Sequence, residues 1–178
     1  MYCPKQYVSL RTFEPERTIM VAFFSPTGHT RKVARKLAFA LDADEYEIEP
    51  RIPYSESDLN WRDSGSRCYT EMHDPDSRPL IAKKFANVGE HDVVLIGFPI
   101  WWGTAPSIIR TFLETHNFYK KTIILFGTSG GDGMGGTVED LRESAGKGII
   151  AGGRVLSGDE SDEELRTWVK SVLDAQNR

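Results

Sequence analysis

Cysteine is scarce here: Cys3 and Cys68 are the only two in 178 residues. They form no C-x-x-C pair and neither stands near a metal-ligand histidine, so the sequence offers no metal site and no redox dithiol. Free thiols in a reducing compartment are the expectation. No apolar run approaches the ~18 residues of a membrane span. Residues 1–17 hold Pro4, Lys5, Arg11, Glu14, Pro15, Glu16 and Arg17 and lack the apolar stretch of a signal peptide. A cytoplasmic protein with no membrane partner is expected. The net charge is only −4, which argues against a general nucleic-acid binder. The four histidines, His29, His73, His91 and His116, are scattered. With no Ser/His/Asp triad and no paired carboxylates, no catalytic residue is named.

What is present is an ordinary soluble composition, 27% charged and 39% hydrophobic, in a length that suits one domain with a full core. Residues 1–17 read as an extension, and 18–178 as the domain. The chain is organised around Phe23-Phe24-Ser25-Pro26-Thr27-Gly28-His29-Thr30. The apolar run Ile19–Phe24 enters it, and a helical pattern to Leu41 leaves it. Strand, short polar loop and helix aim backbone N–H groups and a helix N-terminus at an anion. Ser25, Thr27 and Thr30 add hydroxyls, and Gly28 permits a tight turn. No Lys or Arg lies between Ser25 and Thr30, so this is no Walker A loop. A phosphate here would meet neutral donors and the helix dipole. The alternative is a capped helix with no ligand.

Further on, the pattern predicts strands over 44–49, 93–98, 122–126 and 154–156. Helices are predicted over 30–41, 80–88, 105–115 and 137–145, with a last one opening at Ser161. Arg31, Lys32, Arg35 and Lys36 read as the solvated face of the first helix. Ser161-x-x-Glu164 is a capping box. Residues 50–79 form a long irregular segment, of the kind that is usually functional or partly mobile. Strands alternating with helices predict an α/β fold with helices on both faces of a parallel sheet. The expected order is 2-1-3-4-5, with the ligand at the carboxyl ends of the strands near the switch between strands one and three.

That rule directs attention to the loops after strands three and four. The first is Pro99-Ile100-Trp101-Trp102-Gly103, with two adjacent indoles suited either to packing beneath helices or to stacking on a planar ligand. The second runs Thr128-Ser129-Gly130-Gly131 into further glycines. Gly131-x-Gly133-x-x-Gly136, with Asp159 beyond it, matches a dinucleotide fingerprint. Such fingerprints belong to the first strand of a nucleotide-binding half, and too little chain follows to complete one.

Ser25-x-Thr27-Gly28-x-Thr30, Gly97-Phe98-Pro99-Ile100-Trp101-Trp102-Gly103 and the Thr128–Gly131 loop together resemble a short subgroup of flavodoxin-like FMN proteins. The resemblance covers roughly residues 18–175, although Pro26 and His29 replace the Arg and Asn usual in the first loop. It implies a flavodoxin-like three-layer sandwich holding FMN non-covalently. Ser25, Thr27, Gly28, His29 and Thr30 would hold the phosphate. Pro99, Ile100, Trp101, Trp102 and Gly103 would cover one side of the isoalloxazine. Thr128, Ser129, Gly130 and Gly131 would bind its other edge. Adjacent side chains of an extended segment point apart, so one indole, taken as Trp101, would face the ring. Trp102 would anchor the loop as a buried aromatic.

Three functions follow as alternatives. One is an electron-transfer flavoprotein serving redox partner proteins, the reading adopted. The second is an FMN-dependent NAD(P)H oxidoreductase acting on a small-molecule oxidant, a quinone or a nitro compound, with residues 50–79 roofing its pocket. The third is a flavin-free module of the same fold.

Overall fold

The computed structural model describes residues 17–83 and 86–176. The extension expected over 1–17 lies outside these apart from Arg17, as does Cys3. A parallel strand covered on both faces must be apolar throughout. β1 (Ile19–Phe23), β3 (Val93–Pro99) and β4 (Thr122–Thr128) meet that requirement and take the centre. The acidic β2 (Asp44–Glu47) and the glycine-bearing β5 (Ile149–Val155) take the edges. The order is β2-β1-β3-β4-β5 with all neighbours parallel, as the alternation of elements predicts.

The helices are α1 (His29–Leu41), α2 (Arg67–His73), α3 (Ser107–Thr115), α4 (Thr137–Arg142) and α5 (Asp162–Gln176). Successive strand residues face opposite sides. Met20, Ala22, Val94, Ile96 and Phe98 pack with Ile108, Ile109, Phe112 and Leu141 of α3 and α4. Val21, Phe23, Leu95, Ile124 and Phe126 pack with Leu37, Leu165 and Val169 of α1 and α5. The result is the three-layer, flavodoxin-like arrangement. Gly97 lies opposite Phe126 in the register, and a Cβ there would come within 2.1 Å of that ring. Only glycine admits the ring, so the large apolar side chain of one strand is housed by the bare backbone of its neighbour.

The chain departs from the sequence reading in several places. No helix forms over the described part of 80–88; Ile81 instead bridges Pro50, and only Val88–Glu90 makes a single 3₁₀ turn. That bridge ties the end of the long segment to the sheet edge. β5 starts at Ile149 rather than Arg154, its first half disguised by Gly152 and Gly153. A Cβ at Gly153 would sit 2.7 Å from Met134 Cε, so close packing of the loop after β4 explains that glycine. α4 stops at Arg142, short of Ala145. α2 interrupts the segment taken as irregular, capped by Ser66, whose hydroxyl accepts from the Tyr69 N–H. The capping box at the start of α5 forms as expected: Ser161 N–H donates to Glu164 and Glu164 N–H donates to the Ser161 hydroxyl. No helix among the described residues is long and apolar enough to cross a membrane.

Candidate functional site

The carboxyl ends of β1, β3, β4 and β5 open on one cavity of about 540 Å³. From the first loop and α1 come Thr27, His29, Lys32 and Val33. Pro99, Ile100 and Trp101 follow β3, and Thr128, Ser129 and Gly130 follow β4. Leu156 to Asp159, after β5, close the remaining side. The position is the switch point between β1 and β3, where ligands enter open α/β sheets.

One end of this cavity meets the start of α1. Gly28 stands at φ 88 as the N-cap of α1, a backbone state that costs glycine little, and it offers no side-chain cap. The first N–H groups of the helix therefore have no carbonyl one turn back. The Ser25 hydroxyl accepts from Arg31 N–H at 3.0 Å, which leaves its own proton available to donate. Thr30 is almost wholly buried, and its hydroxyl pairs with that of Thr128 at 2.8 Å. This bond links the first turn of α1 to the end of β4.

The basic face of α1 is only partly a solvated one. Arg31 forms a bidentate pair with Glu47, which raises the guanidinium pKa further, and Arg35 faces Glu45 at 3.7 Å. Lys36 donates to the Gly158 carbonyl at 3.1 Å and steadies the loop after β5. Lys32, one helical turn after His29, lines the cavity and brings a cation to its wall, beyond the neutral donors of residues 25–30.

The other end is aromatic. Trp101 lies edge-on to Phe24 and Tyr54, with both centroid separations 5.8 Å. Tyr54 is held in turn: its hydroxyl donates to Glu71, and the Arg67 guanidinium lies 3.9 Å above its ring while also pairing with Glu71. Burial, then the bond to Glu71, pushes the Tyr54 phenol well above its ordinary range, so it remains a donor. Thus residues 50–79, through Tyr54 and α2, hold the indole that lines the cavity.

Trp102 behaves differently from the expected buried anchor. It is 42% exposed, and with Gly103 it occupies the centre of a Trp101–Thr104 turn, at φ 47 and φ 76. Positive φ at both central residues is the requirement of a type I′ turn. Its indole meets Tyr69 and His73 of α2 edge-on, with centroids 5.7 and 5.4 Å away. It therefore fastens the loop to α2 rather than to the core.

Of the residues singled out in the sequence, Thr27, His29, Pro99, Ile100, Trp101, Thr128, Ser129 and Gly130 face the cavity together. Ser25 and Thr30 are buried and do not line it, Ser25 facing a separate cavity with Arg31 and Glu47, while Gly28 and Gly103 adopt positive φ in the adjoining turns. Gly131 donates to the Ser129 hydroxyl, closing the loop after β4. Trp102 faces away from this cavity and lines a second one. Lys32 and the 156–159 loop were missed by sequence reasoning. The carboxyl-end rule applied to strand five would have found the loop, had that strand's start not been hidden by its glycines. Among the described residues, no group of three or more His, Cys, Asp or Glu is placed to hold a metal ion.

Known proteins match this chain in sequence and in architecture. The flavodoxin family model matches residues 18–172. Two crystal structures of a "putative flavoprotein" superpose closely. The one from Bacteroides eggerthii DSM 20697 is 41% identical, with TM-score 0.84, over 88% of this chain and 98% of that one. The one from Bacteroides uniformis ATCC 8492 is 40% identical, with TM-score 0.80, over 86% and 98%. A flavoprotein from Lactobacillus acidophilus NCFM, solved in complex with FMN, shares the fold at 22% identity, TM-score 0.67, over 86% and 99%. The Escherichia coli (strain K12) "Uncharacterized NAD(P)H oxidoreductase YcaK" is 22% identical over 56% of this chain. That match spans 46% of the YcaK length.

Proposed function

This chain belongs to the flavodoxin family, and on that premise we propose that it binds FMN non-covalently and serves as an electron-transfer flavoprotein. The observation that carries the reading is a cavity lined both by residues from the start of α1 and by the Trp101 indole. Its volume lies in the range of small-molecule sites, roughly 300–1,000 Å³. A ligand with a phosphate at one end and a planar ring at the other fits both ends at once. The FMN phosphate would be held by the N–H groups opening α1, by Ser25, Thr27 and Thr30, and by the Lys32 ammonium. Trp101 and Ile100 would cover the ring on one side, and Thr128 to Gly131 would meet its edge. FMN supplies the redox chemistry when bound; the chain sets its solvation and nearby charge. The visible absorption of the purified protein tests the cofactor directly.

The carrier role makes a kinetic prediction. The cavity is sized for one such ligand, and the second cavity has no Lys or Arg in its own lining to receive a nicotinamide diphosphate, the nearby Arg62 guanidinium being engaged over Trp61. NADPH alone should therefore reduce the bound flavin slowly, while dithionite or a separate reductase should reduce it readily. Stopped-flow reduction by NADPH at catalytic speed, on the order of 10 s⁻¹ or faster, would replace the carrier reading with the second one. That second reading, an FMN-dependent NAD(P)H oxidoreductase, draws on the adjoining cavity and on the name of the Escherichia coli relative.

A further inference from the structure

Beside the flavin cavity lies another of about 380 Å³. Ile100 and Trp101 line both, so the two spaces adjoin through that dipeptide. Residues 50–79 supply the far wall with Leu59 and Trp61, and Cys68 of α2 lies behind it; Trp102 and Asp132 complete the lining.

Its composition restricts what it can hold. Three of the lining side chains are indoles, with Leu59 and Ile100 between them. Trp61 is 59% exposed and Trp102 42%, so two large aromatic surfaces remain in contact with water on either side of one cavity. Neither is explained by packing alone. Trp61 carries the Arg62 guanidinium over its ring at 4.6 Å, which steadies it without burying it. Trp102 is held by Tyr69 and His73 in edge contacts. No Lys or Arg lines the space, and the Asp132 carboxylate contributes a negative charge. Asp132 opposes an anion, with the Arg62 guanidinium on Trp61 as a counterweight, while a flat apolar ring gains both stacking and burial. The volume suits a molecule of about two fused rings.

We infer that this second cavity binds an uncharged planar aromatic compound of about two fused rings, beside the flavin. Its position next to a redox cofactor rests on the proposed FMN reading, but the residues that build it are its own. The test uses the full chain loaded with FMN and 2,3-dimethyl-1,4-naphthoquinone as probe. Both ring positions open to thiol addition are methylated in that compound, so the Cys68 thiol cannot trap it covalently. Equilibrium dialysis should show one molecule bound per chain with FMN retained. Trp61→Ala, at an exposed position, should fold normally, keep its FMN affinity and weaken probe binding by about tenfold. Asp132→Asn should leave the neutral probe unaffected and strengthen binding of naphthalene-2-sulfonate by about fivefold, because a carboxylate no longer opposes the sulfonate.

Absence of probe binding to the FMN-loaded chain, equal binding by wild type and Trp61→Ala, or displacement of FMN by the probe would each overturn the assignment. The last of these would mean that the probe had entered the flavin cavity. A chain that takes up no FMN yet binds the probe in a Trp61-dependent way would refute the flavin reading and leave this cavity's assignment standing.

Discussion

Trp101→Ala should make bound FMN fluoresce. An indole packed against the isoalloxazine quenches its emission, and Trp101 is the indole that lines the cavity proposed to hold the flavin. Wild-type protein should be nearly dark, and the variant should recover a several-fold brighter signal. Water entering the vacated space would also favour the reduced, anionic ring, so the midpoint potential for the second electron should rise. The cost in stability should be about 2 kcal/mol, less than for a fully buried aromatic, because Trp101 is only half-buried and rests on Phe24 and Tyr54. Trp102 supplies the contrast. At φ 47 it sits where a bulky side chain is strained, and Trp102→Gly relieves that strain while losing the edge contacts with Tyr69 and His73. The two effects oppose one another, so its stability should stay within about 1 kcal/mol of wild type, with emission unchanged. Recovery of emission in Trp102→Gly but not in Trp101→Ala would reverse the two roles.

Thr30→Ala should weaken FMN binding by about tenfold or more. A hydroxyl bond to a charged oxygen is typically worth about 1.5–3 kcal/mol, and the structure adds a second contribution. Thr30 and Thr128 share one hydrogen bond. When Thr128 donates, the Thr30 proton is free for the phosphate and is polarised by the bond it receives. Alanine removes the phosphate donor and strands the Thr128 hydroxyl together. Thr30→Ser keeps the hydroxyl and should bind FMN nearly as wild type does. Calorimetry on all three proteins decides the matter, with apo-protein melting measured alongside. If Thr30→Ala melts lower yet the folded fraction binds FMN with unchanged affinity, Thr30 only braces α1 against β4.

The legible parts of the sequence were those where one physical demand dominates. Strands buried on both faces have to be apolar, so β1, β3 and β4 stood out, and with them the sheet order. The box Ser161-x-x-Glu164 marked α5 because its two reciprocal bonds are local. The elements that were missed answer to distant partners. Gly152 and Gly153 looked like a break in β5, yet Gly153 is small because Met134 and Leu125 press on it. Residues 80–88 have a helical spacing of apolar side chains, but Ile81 bridges Pro50 instead. Lys32 reads as one charge among four on α1; only the fold shows that Glu47, Glu45 and the Gly158 carbonyl engage the other three. The outward turn of Trp102 depends on a backbone state that a tryptophan seldom adopts.

The strand order also has a consequence in time. β1 is flanked by β2, which follows it closely, and by β3, where Ile19 pairs with Val93. Its main apolar neighbour is therefore made some seventy residues later, and closing so long a segment is a slow step in assembling a sheet. The loops at 25–30, 99–104 and 128–131 meet only once β4 has joined as well. The loop after β5 lines the cavity too, so FMN is expected to find no complete site while the sheet is still forming. It should leave the refolding rate nearly unchanged and instead slow unfolding, since contacts absent from the transition state act on the unfolding limb. Added FMN is thus expected to prolong the life of the finished domain without hastening its birth, a difference that refolding and unfolding traces with and without the cofactor would show.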